Sequence, residues 1–492
     1  MNLTKLTDAA QGVFLWVDDR LHLTKLFEST AGHHVPKSSG SWFYVFGSAT
    51  LLCFMIQLAT GIMLAMVYVP SAAEAFTTLE YLTFQQDLGW FLRSIHFWGS
   101  NFMVGIMLLH MTQVFLFGAY KYPREITWIT GVVLMALTLG LAFTGQVMRF
   151  DEDAYWGLGI GVAIMGRVPF LGEQLVNMML GGPIIASETL SRFFALHVFV
   201  LPGGVLAIVS IHLRMVLTKG INEYPKPGML VRRETYDKEY AAILKKEGVP
   251  FFPKAISKDL VAASVVIFGI LTCACLFGPD GPSGPPNPVQ IDTLPRPDFF
   301  FLWIFAIAAL MPDWIETPAL LGGPVIIALI LFGLPFFNGT GEKSWRRRPV
   351  SVLIVILTYV SLGLLTYLGH TSPWSPEMDA WKGDPTPKEF LQGRAPLELQ
   401  GSIVIQSMQC RNCHAIDGIG GHRGPDLADV GARLTKSQLT RQVIQGGGNM
   451  PAYGKNLTPD QVDAVVAYMV SLRSPGIPPA RDSSQPGFAP ME

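Results

Sequence analysis

Four histidines at nearly matched spacing inside two long apolar runs constrain this chain more than any other feature. His96 and His110 lie in the run 94–117, and His197 and His212 in the run 193–217. The separations are 14 and 15 residues. On an α-helix these are rises of about 21 and about 22 Å, ending about 40° and about 60° from a whole number of turns. Each run therefore presents two imidazoles on roughly one face, one toward each end. If the two helices run the same way, His96 faces His197 and His110 faces His212. Neutral imidazoles bind iron from both axial sides, so two stacked bis-histidine sites suit two haems. The competing reading is four separate polar residues buried in helix contacts, although intramembrane histidines are uncommon and usually functional.

Composition places those runs in a membrane. Half of the residues are hydrophobic, 15% are charged and the mean hydropathy is +0.36, well above a soluble domain. The net charge of −1 carries no information about partners, and no basic stripe points to nucleic acid. Apolar runs predict spans near 41–69, 93–117, 126–147, 190–217, 259–277, 319–337 and 349–369, each long enough for about 30 Å of hydrocarbon. The fold class expected is all-α, a seven-span bundle preceded by an amphipathic segment over 1–40. The run Phe299–Met311 is too short to span and reads as interfacial. Pro and Gly breakers such as Gly281-Pro282-Ser283-Gly284-Pro285-Pro286 separate the elements.

Lys and Arg set the orientation. Segments 1–40, 118–125, 218–258 and 338–348 carry 19 of them, and the opposing segments 70–92, 148–189 and 278–318 carry 3. Positive residues stay on the cytoplasmic side, which puts the amino terminus inside and everything beyond the seventh span outside. The histidine-bearing spans then run in parallel, the condition needed to pair the histidines across them. His96 and His197 fall near the outer face, His110 and His212 near the inner.

Glycines fit the same arrangement. Gly47 and Gly61 are 14 apart in the first span, as are Gly131 and Gly145 in the third. A missing side chain lets a flat macrocycle approach the backbone, although Gly also serves close helix packing in membranes. Arg93 and Arg192, each a few residues outside an outer histidine, are placed to pair with haem propionates or to snorkel to lipid headgroups.

The last hundred residues differ in kind. Positions 371–398 form a linker with prolines at 373, 376, 385, 387 and 396, extended and semi-rigid. Cys410-Arg411-Asn412-Cys413-His414 follows. In C-x-x-C-H two thiols form thioethers to the haem vinyls and the adjacent His supplies an axial ligand. A zinc site would need two more ligands, and no second Cys pair follows; His422 alone does not complete one. The sixth ligand is expected downstream, where Gly446-Gly447-Gly448-Asn449-Met450-Pro451 offers Met450, while Met469 reads as helix packing. Cys53, Cys273 and Cys275 lie in spans and read as packing residues.

Here the chain resembles a known family. Residues 1–370 look like cytochrome b of the cytochrome bc1/b6f superfamily, and 399–474 like a small class I cytochrome c. The matching strings are Arg93-Ser94-Ile95-His96, Tyr122-Pro123-Arg124-Glu125, Tyr155-Trp156-Gly157 and Arg192-Phe193-Phe194-Ala195-Leu196-His197. The 15-residue histidine interval and the four-plus-three helix count are similar to the photosynthetic type. The division implied is a four-helix di-haem core over 41–225, a three-helix part over 226–370, the linker, the cytochrome c unit over 399–474 and a flexible tail over 475–492.

The resemblance implies an outer quinol-oxidising site signed by Pro-Glu-Trp-Tyr in the family and by Pro297-Asp298-Phe299-Phe300 here. Asp298 would accept a quinol proton, and Tyr155, Trp156 and Gly157 would line the same pocket. An acid beside an apolar segment is suited to a raised pKa and a base role; the alternative is a carboxylate favoured by a helix dipole. At the inner quinone site, Glu247 of Glu247-Gly248-Val249-Pro250-Phe251-Phe252-Pro253 takes the place of a proton-donating acid, leading to Lys258-Asp259. Phe252 stands where the mitochondrial type has a His, and Val45 where the photosynthetic type has a haem-tethering Cys, so a covalent extra haem is not expected. The function implied is that of a respiratory quinol:cytochrome c oxidoreductase subunit in a bacterial cytoplasmic membrane. It would carry two non-covalent b haems and one covalent c haem, and release protons outside. Partners implied are a Rieske-type iron–sulfur protein, the quinone pool, a downstream cytochrome c or oxidase, membrane lipid and a second copy of the chain. Rival readings are a di-haem anchor feeding another redox enzyme and an electron-transfer subunit with vestigial quinone sites.

Overall fold

The computed structural model describes residues 3–30, 32–182, 185–287, 295–372, 385–422, 424–446, 450, 453–454 and 456–481. Most of the expected linker (373–384), the end of the tail and parts of the 446–458 loop lie outside the described residues.

Two helices, α1 (Leu3–Leu21) and α2 (Leu23–Thr30), precede the membrane part. Val13, Phe14, Leu15 and Trp16 of α1 are exposed. Then come α3 (Phe46–Ala65), α4 (Ala75–Phe84), α5 (Gly89–Leu116), α6 (Glu125–Met148), α7 (Glu152–Gly166), α8 (Gly172–Leu180) and α9 (Ser187–Ala195). A five-residue π-helical turn, Leu196–Val200, joins α9 to α10 (Leu201–Lys219). The chain continues through α11 (Tyr236–Glu247), α12 (Ile256–Phe277), α13 (Phe299–Leu310), α14 (Asp313–Phe337) and α15 (Pro349–Thr371). Seven of the described helices are long and apolar enough to cross a membrane, the fourth combining α9, the π-turn and α10. The chain is a multi-pass membrane protein.

Helix pairing sets the core. α3 lies along α5 and α10 along α6, with α12 against α5 and α3. Cys53, Phe54, Met103, Val205 and Ile270 interlock between these spans. Cys53 packs as expected, whereas Cys275 is exposed on α12. The short apolar run at 299–311 differs from expectation in its burial. α13 packs against α15, and a Cβ on Gly369 would lie 2.6 Å from the Leu302 carbonyl. Phe300, Leu302, Phe305, Ala306 and Ala308 are buried, so one face of α13 packs on protein while Phe299 and Leu310 stay exposed.

The π-turn explains the unequal histidine spacing. Leu201 N–H bonds to the Leu196 carbonyl, five residues back. Pro202 has no N–H with which to close the next regular bond. A π-turn takes in one extra residue, so the 15-residue interval from His197 to His212 occupies the place of a 14-residue one.

A buried polar cluster ties the two halves of the membrane part together at one end. Lys343 Nζ lies 2.6 Å from Glu223 Oε1, with side chains 1% and 4% exposed. Tyr236 donates its hydroxyl to Glu223 at 2.9 Å, and Arg124 donates to the Tyr236 oxygen at 2.7 Å. Burial opposes ionisation of Glu223, but Lys343 prevails and holds its carboxyl below the usual range. Burial lowers Lys343 to about 8 against the pull of Glu223, which leaves it charged at neutral pH.

The c-terminal unit is separate in its packing. α16 (Pro396–Ser407) packs against α19 (Pro459–Ser471), with α17 (Val430–Arg433) and α18 (Lys436–Gln445) beside it. Ile405, Ile416, Leu439, Val466, Tyr468 and Leu472 form its core. The second half of the Pro-rich stretch joins this unit: Thr386 donates to Gln406, and Arg394 to the Ser471 carbonyl at 2.6 Å.

Lys343→Ala strands Glu223 as an unpaired buried charge, at a cost of about 3–5 kcal/mol. The detergent-solubilised chain should show a clearly lower thermal midpoint. The double change Lys343→Met with Glu223→Leu should recover most of it. A single variant as stable as the parent would show that the pair contributes nothing.

Candidate haem and quinol sites

Helices α5 and α9–α10 bring the four histidines into two levels. The His96 and His197 rings lie with centroids 6.4 Å apart, inclined at 72°. That separation leaves room for one metal ion between facing ring nitrogens, since a metal–imidazole bond is about 2 Å. At the other level His110 is within electrostatic reach of His212.

Each ring rests on a glycine of α3 or α6. A Cβ on Gly145 would come 2.8 Å from His197 Cε1, on Gly61 3.2 Å from His96 Cε1, on Gly47 3.2 Å from His110 Cε1 and on Gly131 3.6 Å from His212 Cε1. The glycines thus make room for the imidazoles themselves, which adds to the expectation that they admit a macrocycle. At Gly145 any side chain must displace the ring.

Threonines orient three of the rings. Thr60 Oγ1 lies 2.8 Å from His96 Nδ1, Thr130 Oγ1 2.9 Å from His212 Nδ1 and Thr144 Oγ1 2.9 Å from His197 Nδ1. Each hydroxyl also donates to a helix carbonyl, of Ile56, Ile126 and Gly140 respectively. With that proton committed, the oxygen accepts from Nδ1–H. The ring is held as the tautomer whose Nε2 lone pair faces the opposite histidine. This is the donor set a bis-histidine haem requires, and the residues present fit the group. Sequence reasoning missed these threonines, although each directly precedes its glycine: Thr60-Gly61, Thr130-Gly131 and Thr144-Gly145. The fourth pair is Phe46-Gly47, and no hydroxyl meets His110 there.

One cavity of about 230 Å³ holds His96, His197, Gly61, Gly145, Arg93, Arg149, Asp280 and Asp298 on its wall. Arg93 is buried and donates to Thr83 at 2.9 Å and to the carbonyls of Gly281 and Asp280. It anchors the loop after α12 to the His96 helix and still faces the cavity. Arg192 is exposed and donates to the Met178 carbonyl. Arg149 lies 2.5 Å from both Asp151 and Asp280. Asp298 is the residue preceding α13, yet its side chain caps no α13 amide. Burial pushes its carboxyl up to about 6, opposed by Arg149 and reinforced by Asp280 and Asp151.

The other expected pocket residues distribute unevenly. Pro297 and Phe300 are buried and Phe299 is half exposed, its ring 5.1 Å from that of Phe300. Tyr155 and Trp156 sit in an adjacent apolar cluster with Tyr68, Phe150 and Phe193. Gly157 lies against Gln146. Near the second histidine level, Asp259 accepts from Ser48 at 2.7 Å and pairs with Lys258 at 3.0 Å, directly beside Gly47. Glu247 is exposed at the end of α11, and Val45 is buried at the start of α3.

In the c-terminal unit Cys410 and Cys413 flank a tight 3-10 turn. His414 Nδ1 lies 2.7 Å from the Pro425 carbonyl, which must accept its proton, so Nε2 carries the lone pair. Burial pushes the His414 pKa down. A Cβ on Gly424 would lie 2.4 Å from the ring. Met450 packs at the edge of the same core as Cys410, with Gln442 Nε2 3.6 Å from its Sδ. Met469 is buried in α19. The free Nε2, the paired thiols and the nearby thioether fit a covalent haem c.

Comparison with known proteins agrees with this geometry. Residues 32–220 match the family model described as cytochrome b/b6/petB. Residues 399–469 match the model described as cytochrome c oxidase, cbb3-type, subunit III. Cytochrome b6 of Synechococcus sp. (strain JA-3-3Ab) is 39% identical over 210 residues, covering 43% of this chain and 97% of the relative. Cytochrome b6 of Prochlorothrix hollandica is 38% identical over 211 residues, covering 43% and 95%. The chain belongs to the cytochrome b/b6 family. A solved structure titled "Hyperthermophilic respiratory Complex III" shares the fold at TM-score 0.62 and 28% identity, covering 73% of this chain and 91% of its own. This is therefore a bc-type electron-transfer subunit: a cytochrome b, which binds b haems, fused to a c-type unit, which binds haem c.

The glycine contacts predict a graded response. Gly145→Ala should lose b haem, because the methyl lands 2.8 Å from His197, whereas Gly131→Ala, at 3.6 Å from His212, should retain it. Haem b per chain, measured by reduced-minus-oxidised spectra, decides. Equal retention in both would show that close ring-to-backbone approach is not required.

Proposed function

We propose that this chain is the cytochrome b and c subunit of a respiratory quinol:cytochrome c oxidoreductase, oxidising quinol at the outer face with proton release there. One observation carries the reading: Asp298 shares a single cavity with the His96/His197 pair. Two b haems would be held by His96/His197 and by His110/His212. One haem c would be held by Cys410, Cys413, His414 and Met450. Bound haem supplies reversible one-electron exchange.

The chain's own residues supply the proton chemistry and the positioning. A quinol hydroxyl donates to Asp298, whose buried carboxylate is a stronger base than an exposed one. Arg149 fixes Asp280 at the cavity mouth, and Asp280, half exposed, leads toward solvent. Apolar walls from Phe54, Leu79 and Leu82 exclude water around the ring. At the opposite face Glu247, exposed at the end of α11, takes the place of a proton-donating acid for quinone, on the side where Lys258 pairs with Asp259. Of the two electrons a quinol gives up, one would leave through a separate Rieske-type iron–sulfur protein to the c-type unit at Cys410 and Cys413 and on to a downstream cytochrome c or oxidase. The other would cross by way of the His96/His197 and His110/His212 levels to quinone at the inner face. The complex is read as a homodimer in a bacterial cytoplasmic membrane, with the amino terminus inside and the c-type unit outside.

Asp298→Asn should slow quinol oxidation by roughly 10²-fold, as for loss of a positioned general base, with haem spectra unchanged. The working form is the carboxylate, present above a pKa of about 6. The parental rate should therefore fall as pH drops through about 6, and that limb should vanish in the variant. Normal turnover by Asp298→Asn would move the base elsewhere. An inhibitor of the outer site should abolish quinol:cytochrome c activity of the purified complex; insensitivity would favour an anchor role.

Orientation has its own test. A reporter fused after Ser474 should be active only outside the cytoplasm, and one fused within 226–250 only inside. The reverse pattern would exchange the two quinone sites.

A further inference from the structure

We propose that the outer loops of the cytochrome b part are the docking face of this chain's own c-type unit, seated by Asn456 against Asn287. Its functional meaning rests on the reading of the Asp298 cavity as the quinol site.

Three observations converge. Arg296 donates to the Ser372 carbonyl, which pins the exit of α15 to the segment leading into Asp298. Between Ser372 and the first residues bonded to the c-type unit stand only positions 373–384. Twelve residues reach at most about 40 Å, so the c-type unit stays over the face on which Asp298 opens. Within that reach a specific contact forms, Asn456 Nδ2 donating to Asn287 Oδ1 at 3.3 Å. On the c-type side Tyr453, 8% exposed, belongs to the core that Cys410 and Met450 border.

The orientation of the docked unit has a purpose. Met450, Tyr453 and Asn456 all belong to the loop between α18 and α19, the loop that carries the methionine read as a haem c ligand. The c-type unit therefore turns its ligand loop, and not its helical back, toward the loop of Asp280 and Asp298. The contact itself is small, but a short tether gives an effective concentration in the millimolar range, enough to populate an interface far weaker than two free proteins would need. The occupant of this face is the fused unit.

Cross-linking in the whole haem-loaded chain, in native membranes, tests the docking without reference to turnover. Asn287→Cys and Asn456→Cys are combined, bridged with a short bis-maleimide, and the tether is cut at a protease site inserted between 373 and 384. The two fragments should remain joined in the double variant and separate in either single variant. Joining no greater than in the single variants overturns the proposal, and normal turnover alongside that result assigns the face to another occupant. A charge series supplies a second readout. Asn287→Asp with Asn456→Asp should slow quinol-driven reduction of haem c about tenfold through like-charge repulsion, and Asn287→Asp with Asn456→Lys should restore it. Equal rates in the two pairs count against the docking. A cross-link formed in a chain whose haem c quinol does not reduce would keep the docking and remove the quinol reading instead.

Discussion

An imidazole pressed flat on a neighbouring helix backbone is the contact on which the membrane part depends. His96 and His110 lean on Gly61 and Gly47 of α3, and His197 and His212 on Gly145 and Gly131 of α6. A side chain at Gly145 would push the ring aside, one at Gly61 or Gly47 would crowd it, and any slip of one helix along the other would separate ring from gap. The pairings of α3 with α5 and of α6 with α10 follow from this. So does the π-turn at Leu196–Val200, which keeps both rings of the fourth span in register despite an extra residue. Threonines then fix which nitrogen carries the proton. Shape and protonation are set by adjacent residues of the same helix turn.

Around this frame the loops organise charge. Arg93 holds the loop after α12 by its carbonyls, Arg149 holds Asp280 and Asp151, and Asp298 is left uncapped beside them in the cavity of the first histidine pair. An acid kept this way is reluctant to ionise because water is scarce, yet the Arg149 charge prevents it from becoming inert. The balance differs at the other end of the bundle. There Lys343, Glu223, Tyr236 and Arg124 satisfy one another and hold the three-helix part to the four-helix part.

Much of this was legible in the sequence because its signals are short and chemically specific. Histidines and glycines 14 or 15 apart, seven apolar runs, Cys410-Arg411-Asn412-Cys413-His414 and Met450 each point to one arrangement through helix geometry or covalent chemistry alone. What stayed hidden depends on contacts between distant segments. Pairing of Arg93 with the Asp280–Gly281 carbonyls joins positions nearly two hundred residues apart, and no local pattern encodes it. Burial of α13 under α15 was hidden for the same reason, since a thirteen-residue apolar run has no fixed partner in sequence. The threonines are an intermediate case. Their position before each glycine was visible, but a Thr in a membrane helix usually satisfies only its own helix, and the second partner appears only when α5 and α10 are in place.

The departure of the fourth pair from that rule has an electronic consequence. A ring whose Nδ1–H is hydrogen-bonded is the more electron-donating ligand. His96, His197 and His212 are assisted in this way, whereas Phe46 occupies the corresponding turn beside His110. The first level thus offers two enriched nitrogens and the second offers one enriched and one plain. A metal held by His110 and His212 would meet the less electron-rich donor pair. One phenylalanine in place of a threonine therefore makes the two levels chemically unequal, the richer being the one that shares its cavity with Asp298.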